Sequence, residues 1–191
     1  MNWLNSFRKR PSGITSLTCA IIDASYKCGQ EFKESIDERF GNNTKEASSH
    51  WLLVVYEYLF FFIHLADRSA FSKLGSKKRS KLMDVLAPVI ESMTTEAWFA
   101  SWPAEFKCGI KKDFFNNLNN ASIEYSQYKK LFAEKGENLK DTLFWELGKN
   151  IARLSGYEHN PVIIMQAVLN SSDKFANMKL DYLIESAGKE M

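Results

Sequence analysis

Between His50 and Arg68 the chain reads HWLLVVYEYLFFFIHLADR, almost wholly apolar yet interrupted by charges at a helical spacing. On a wheel of about 100° per residue, Glu46, His50, Glu57, His64 and Arg68 fall within an arc of roughly 40°, and nearly everything else on that helix is apolar. A helix with so little polar surface is normally buried. The rest of the chain must therefore supply apolar neighbours around it, which confines the fold to one built about a central helix. The polar seam is either that helix's single view of water or an interior site.

A membrane-spanning reading of the same stretch fails on length and charge. The run from Trp51 to Ala66 is about sixteen residues, against the roughly 20 needed to cross hydrocarbon, and Glu57 stands near its middle, where an acidic side chain is costly. No transmembrane segment is expected. The chain of 191 residues can bury a substantial core, so it is read as a single all-helical domain over residues 1–191. Residues 1–11 form a short lead whose Trp3, Leu4 and Phe7 make an amphipathic face that docks on the bundle or frays.

Helical periodicity runs the whole length. Ile14, Leu17, Ile21, Cys28, Phe32, Ile36 and Phe40 mark a first helix, ended by Gly41-Asn42-Asn43. The second runs from about Thr44 to Leu74, with Gly75 as its stop. Leu82, Met83, Leu86, Val89, Ile90 and Met93 form the next apolar face, in which Pro88 predicts a kink or a break. Thr94-Thr95-Glu96 resembles a fresh helix start, and Lys107-Cys108-Gly109 reads as a turn.

From Lys111, the positions Phe114, Phe115, Leu118, Ile123, Tyr125, Tyr128, Leu131 and Phe132 predict a helix ending near Gly136. Asn138 then reads as an N-cap before the stripe Leu139, Leu143, Phe144, Leu147, Ile151 and Leu154. Asn160-Pro161 is a strong start signal, because proline at the first helical position gives up no hydrogen bond. That last helix carries Val162 to Ile184, with Asn170-Ser171-Ser172 as a point of interruption. The expected fold class is all-α: a helical bundle of about six helices with antiparallel neighbours and an apolar central helix at about 44–74.

Charge and cysteine usage narrow the setting. A formal net charge of +2 creates no large basic field, and Arg8-Lys9-Arg10 and Lys77-Lys78-Arg79-Ser80-Lys81 lie at element boundaries, so there is no strong nucleic-acid signal. Three cysteines without a CxxC pair suit reduced thiols. Pro-Ser-Gly interrupts the sequence after Arg10 where a secretory leader would need an apolar core, so a cytoplasmic setting is expected.

Motifs that would identify chemistry are missing: there is no GxxxxGK[ST], GxGxxG, HExxH or GxSxG. No cofactor is implied. Attention falls back on the seam. Glu46 with His50, and His64 with Asp67, have spacings at which two side chains reach one ion, but each pair offers only two ligands. The steps from His50 to Glu57 and from Glu57 to His64 are each about 10 Å along the axis, too long for a shared metal.

The default reading of the seam is therefore a narrow exposed stripe, with Glu57 and His64 satisfied by water or by neighbours. The alternative is a buried polar network that fixes helix register or closes the polar end of an apolar pocket, with Glu57, His64 and Arg68 as its ligand-binding residues. The functional expectation is a non-enzymatic helical interaction or regulatory module, with a protein partner or self-association as a homo-oligomer. The alternative is a small-ligand or metal-binding bundle that uses the seam, an apolar ligand being compatible with the aromatic content.

Overall fold

The computed structural model describes residues 12–40, 45–135 and 137–191, leaving aside the side chains of residues 40 and 45–49. Its secondary structure is helical throughout: α1 (Gly13–Phe40), α2 (Lys45–Trp98), α3 (Ala104–Tyr125), α4 (Leu143–Leu154), α5 (Pro161–Met178) and α6 (Leu180–Gly188), with a 3-10 turn at Leu139–Asp141 before α4. The predicted lead at 1–11 and the helix stop at Gly41-Asn42-Asn43 lie outside the described residues.

α2 is a helical hairpin. Gly75 has φ 74° and ψ 170°, a combination essentially open to glycine alone, and it divides α2 into arms 45–74 and 76–98. Arg79 returns across the break to donate to Asp67 through Nε at 2.6 Å. Farther along, the rings of Tyr56 and Trp98 meet with centroids 5.1 Å apart, although a straight helix would separate those residues by about 63 Å. The arms therefore run antiparallel, and Gly75 is the stop that the sequence predicts.

The first arm is central. Its Tyr58, Leu59, Phe61, Phe62 and Ile63 are essentially inaccessible, and one hydrophobic cluster joins it to residues of every other helix. On one side Gly29 of α1 lies against Val55, close enough that a Cβ there would clash with the Val55 side chain. On others, Phe61 meets Phe144 of α4 edge to face at 4.9 Å and Tyr125 of α3 at 5.4 Å. Each such buried aromatic stabilises the fold by roughly 1.5–3 kcal/mol through its burial. Gly188 of α6 closes on Leu74 at the hairpin end.

α3 lies along the hairpin and faces both arms. Phe114 packs on Phe60 and Tyr56 of the first arm, while Lys107 and Lys111 pair with Glu96 and Glu91 of the second. α4 and α5 form a hairpin of their own. It is so close that a Cβ at Gly148 would stand 2.7 Å from the Ile164 carbonyl oxygen.

Several element boundaries depart from the sequence expectation. Pro88 is exposed and the φ/ψ values around it stay helical, so the helix continues. Thr94 and Thr95 start nothing, because their hydroxyls donate back to the Ile90 carbonyl and the Glu91 carboxylate within the arm. α3 runs straight through Lys107-Cys108-Gly109 and NNLNN, begins after Pro103 and ends at Tyr125, which leaves Ile123 exposed and Tyr128 to Phe132 in the following loop.

The start of α4 also moves. The Asn138 side chain accepts from the Lys140 N–H and caps only the 3-10 turn, whereas the Thr142 hydroxyl accepts from Trp145 and caps α4, so Leu139 is 48% exposed and outside the stripe. Asn160 caps α5 as expected, accepting from Val162 and Ile163. Asn170-Ser171-Ser172 does not interrupt α5, since Ser171 and Ser172 donate to carbonyls within the helix. The break comes at Lys179, in the left-handed region with φ 52°.

Candidate functional site

The seam divides into an acidic half and a basic half, on either side of Tyr125. Glu57 belongs to the first. Its Oε1 accepts a short hydrogen bond from the Tyr125 hydroxyl and a second, of 3.2 Å, from Nδ2 of Asn150 on α4. The same Asn150 nitrogen reaches Oε1 of Glu124 at 3.1 Å, and Asn150 Oδ1 accepts from Arg153 at 3.1 Å. Residues from the first arm of α2, α3 and α4 thus share one polar network, which fixes their mutual register.

Burial drives the Glu57 carboxyl above its usual range, the Tyr125 and Asn150 hydrogen bonds pull the other way, and Glu124 adds to the rise. Tyr125 is fully enclosed, and its phenol is pushed well up by burial and then by the neighbouring Glu57 carboxylate. It serves as a fixed donor.

This network closes one end of a groove of about 440 Å³ between the first arm of α2 and α3. Tyr56, Phe60, Phe99 and Phe114 supply aromatic walls and Leu52, Leu53 and Ile110 aliphatic ones, while Glu57, Asp113 and Glu124 lie along its polar side. None of these three carboxylates forms an ion pair with any described residue. The groove is aromatic on its walls and acidic on one side.

Two turns farther along, the basic half begins. His64 is 6% exposed, and both ring nitrogens are buried without a hydrogen-bond partner. Burial lowers its pKa to about 4, helped by Arg68 and Arg79 and opposed by Asp67. Its ring lies 5.7 Å from that of Tyr125. Arg68 donates from Nη1 to the Tyr128 carbonyl and from Nη2 to the Lys129 carbonyl, each at 2.6 Å, and so ties the chain leaving α3 to the central helix.

The default expectation for the seam is corrected at His64, which is buried and has no hydrogen-bond partner, whereas His50 is exposed and Glu57 and Arg68 are half-buried and held by neighbours. The sequence-predicted trio does not converge either: Glu57 lines the aromatic groove, whereas His64 and Arg68 line a different, wider pocket of about 590 Å³ with Asp67, Phe71, Arg79, Ser122 and Lys129. His50 is exposed, and the Glu46 side chain lies outside the described residues. Asp67, considered as a ligand beside His64, is engaged by Arg79 instead. Among the described residues no three His, Cys, Asp or Glu side chains gather in a way that could hold a metal ion.

Tyr125, Glu124 and Asn150 were missed in the sequence. Asn150 carried a signal, since it falls one helical turn after Leu147 on the buried stripe of α4, where a polar residue needs a partner. Nothing marked Tyr125 and Glu124 apart from their helix. Arg79 was visible only as one charge in SKKRSK, a run that the structure partly ties down through Asp67 and through Lys78 donating to the Gly188 carbonyl at 3.2 Å.

No described helix is long and apolar enough to cross a membrane. Compared with known proteins, the chain matches no family model, no curated protein and no solved structure.

Proposed function

We propose that this is a non-enzymatic helical binding module, and that its ligand is a small, largely apolar molecule carrying a cationic or hydrogen-bond-donating group, seated in the groove between the first arm of α2 and α3. The observation that carries this reading is the groove itself: about 440 Å³ of aromatic and aliphatic wall with three carboxylates along it, none in a direct ion pair with a described residue, Arg153 acting on Glu57 only from beyond Asn150. That volume falls within the range of small-molecule pockets, and such a lining places a few polar groups where they fix orientation. A ligand cation would gain from the carboxylates, and an apolar body from the aromatic walls.

Binding is favoured over chemistry by how Glu57 is held. Two donors already engage its Oε1, an arrangement that orients a ligand's donor group. A cytoplasmic setting is supported by the cysteine usage, with Cys19, Cys28 and Cys108 all free thiols.

The test uses thioflavin T, an aromatic dye cation whose emission rises when it is held rigid, and Asn117→Trp, which fills the groove from a residue on its exposed lining. Saturable emission in the wild-type protein, weakened at least tenfold in a variant with an unchanged melting curve, is the expected result. Equal binding by both proteins refutes the groove. A second copy of the chain is the competing occupant. Size-exclusion chromatography with light scattering gives a monomer under the small-ligand reading and a dimer under that one.

A further inference from the structure

On the other side of Tyr125, we propose that the pocket walled by His64, Arg68, Arg79, Ser122 and Lys129 binds a small organic phosphate monoester, its phosphoryl group against the cations and its organic part against Phe71. This site is separate from the α2–α3 groove and does not depend on the function proposed for it.

Charge is the first argument. The lining carries three side-chain cations, Arg68, Arg79 and Lys129, against the single carboxylate of Asp67. The whole chain has a net charge of only +2, so this is a local concentration of positive charge in a concavity, the arrangement that focuses a field on an anion.

Preorganisation is the second. Arg79 is fixed by donating from Nε and Nη2 to the two Asp67 oxygens across the arms of α2, and Arg68 by donating from Nη1 and Nη2 to carbonyls of the loop after α3. Each guanidinium keeps a further nitrogen, Nη1 of Arg79 and Nε of Arg68, with no bond to a described residue, and the Lys129 ammonium makes no ion pair with one. Guanidinium donors held in place in this way suit phosphate oxygens.

His64 is the third. It forms part of the pocket wall, and its buried nitrogens have no partner in the protein, an unfavourable condition that a ligand oxygen accepting from the ring relieves. The groups facing it are Asp67, Arg68 and Arg79 from α2, Tyr125 from α3, and Tyr128 and Lys129 from the loop that follows. A bound phosphate adds a negative charge to that set, so phosphate binding and protonation of His64 reinforce one another.

Size argues for an organic phosphate over the free ion. A pocket of about 590 Å³ far exceeds one phosphate, and Phe71, 62% exposed, offers an aromatic ring at its edge. An exposed phenylalanine bordering a cationic pocket suits a ligand with a flat apolar body.

Phenyl phosphate and inorganic phosphate are the probes, titrated by calorimetry into the 191-residue protein at pH 7.5, where both are largely dianionic. The His64 ring resonance is followed in parallel. The chain has only three histidines, so the signal is assigned by its loss in His64→Gln. Phenyl phosphate should saturate at one site. It should move the His64 signal while leaving those of His50 and His159 in place.

Lys129→Glu, an exposed change that keeps the fold, should weaken both probes at least tenfold. Phe71→Ala should weaken phenyl phosphate alone. Failure of phenyl phosphate to bind, a Lys129→Glu variant that binds it normally, or a stationary His64 resonance overturns the site. Equal affinity for the two probes overturns the organic part of the assignment.

Discussion

His64 should make the fold acid-sensitive in a range where most carboxylates have not begun to protonate. Its folded pKa is about 4, depressed first by burial and then by Arg68 and Arg79, while an unfolded-chain histidine titrates near 6.5. Because the folded value lies below the unfolded one, stability is complete above about pH 6.5. As the pH falls, the unfolded chain takes up a proton that the folded chain refuses until about pH 4. Linkage across that window gives a loss of about 2 kcal/mol between pH 7.5 and 5.0, and about 3 kcal/mol once the folded group titrates as well.

His64→Leu removes the titrating ring and puts an apolar side chain in the same buried place. Urea unfolding followed by tryptophan fluorescence at pH 7.5 and 5.0 gives the comparison. Carboxylates, Glu57 included, titrate in both proteins and cancel in the double difference. With a urea slope of about 2 kcal/mol/M, the wild-type midpoint should fall by about 1 M more than the variant's. A variant that loses as much stability as the wild type over this interval would falsify the assignment of the acid sensitivity to His64.

Other perturbations probe the scaffold and the groove. Gly75→Ala should cost about 1–3 kcal/mol although nothing lies within 4 Å of the new Cβ, because its backbone sits in a region other residues avoid; thermal melts measure it, and an unchanged melting temperature refutes the strain argument. Gly148→Ala should cost at least about 2 kcal/mol for the opposite reason, a clash with the Ile164 carbonyl oxygen that only separation of α4 from α5 relieves; a stable variant with unchanged α4–α5 contacts in a crystal structure argues against it. Tyr125→Phe should destabilise by about 1–2 kcal/mol and raise the Glu57 pKa further, since the lost hydrogen bond favours the ionised carboxylate; carboxyl NMR titration checks the direction. Asn160→Ala should cost about 1 kcal/mol by uncapping α5, read by chemical denaturation.

What could be read in advance followed periodicity. The central arm, the stop at Gly75, α1 and the Asn160 cap are visible because each is set by local geometry: an apolar circumference, a φ only glycine tolerates, or a side chain facing the first amides of a helix. The misread boundaries share a different cause. Thr142 and Asn138 are both good cap residues four positions apart, and only the packing of the loop decides between them, through Leu143 and Phe144 donating to the Lys130 and Leu131 carbonyls and the stacking of Phe132 on Phe144 at 4.2 Å. NNLNN and Asn170-Ser171-Ser172 have weak helix propensity, yet tertiary contacts hold α3 and α5 through them, with Ala121 and Ser171 buried.

The seam was legible as a line of charge but not as two sites. A helical wheel projects along the axis, and Glu57, His64 and Arg68 fall together on it although His64 lies about two turns from Glu57 and Arg68 about one turn beyond that. What separates them is Tyr125, which enters from α3 between the two levels, donates to Glu57 on one side and lies against the His64 ring on the other. The wheel cannot show such a wedge, because it comes from another helix. The partners that give each half its character arrive the same way: Asn150 and Glu124 make the upper half acidic and hydrogen-bonded, and Arg79, folded back by Gly75, makes the lower half basic. Each half therefore depends on a different distant feature. Changing Gly75 should disturb the histidine pocket while sparing the Glu57 network, and changing Asn150 should do the reverse.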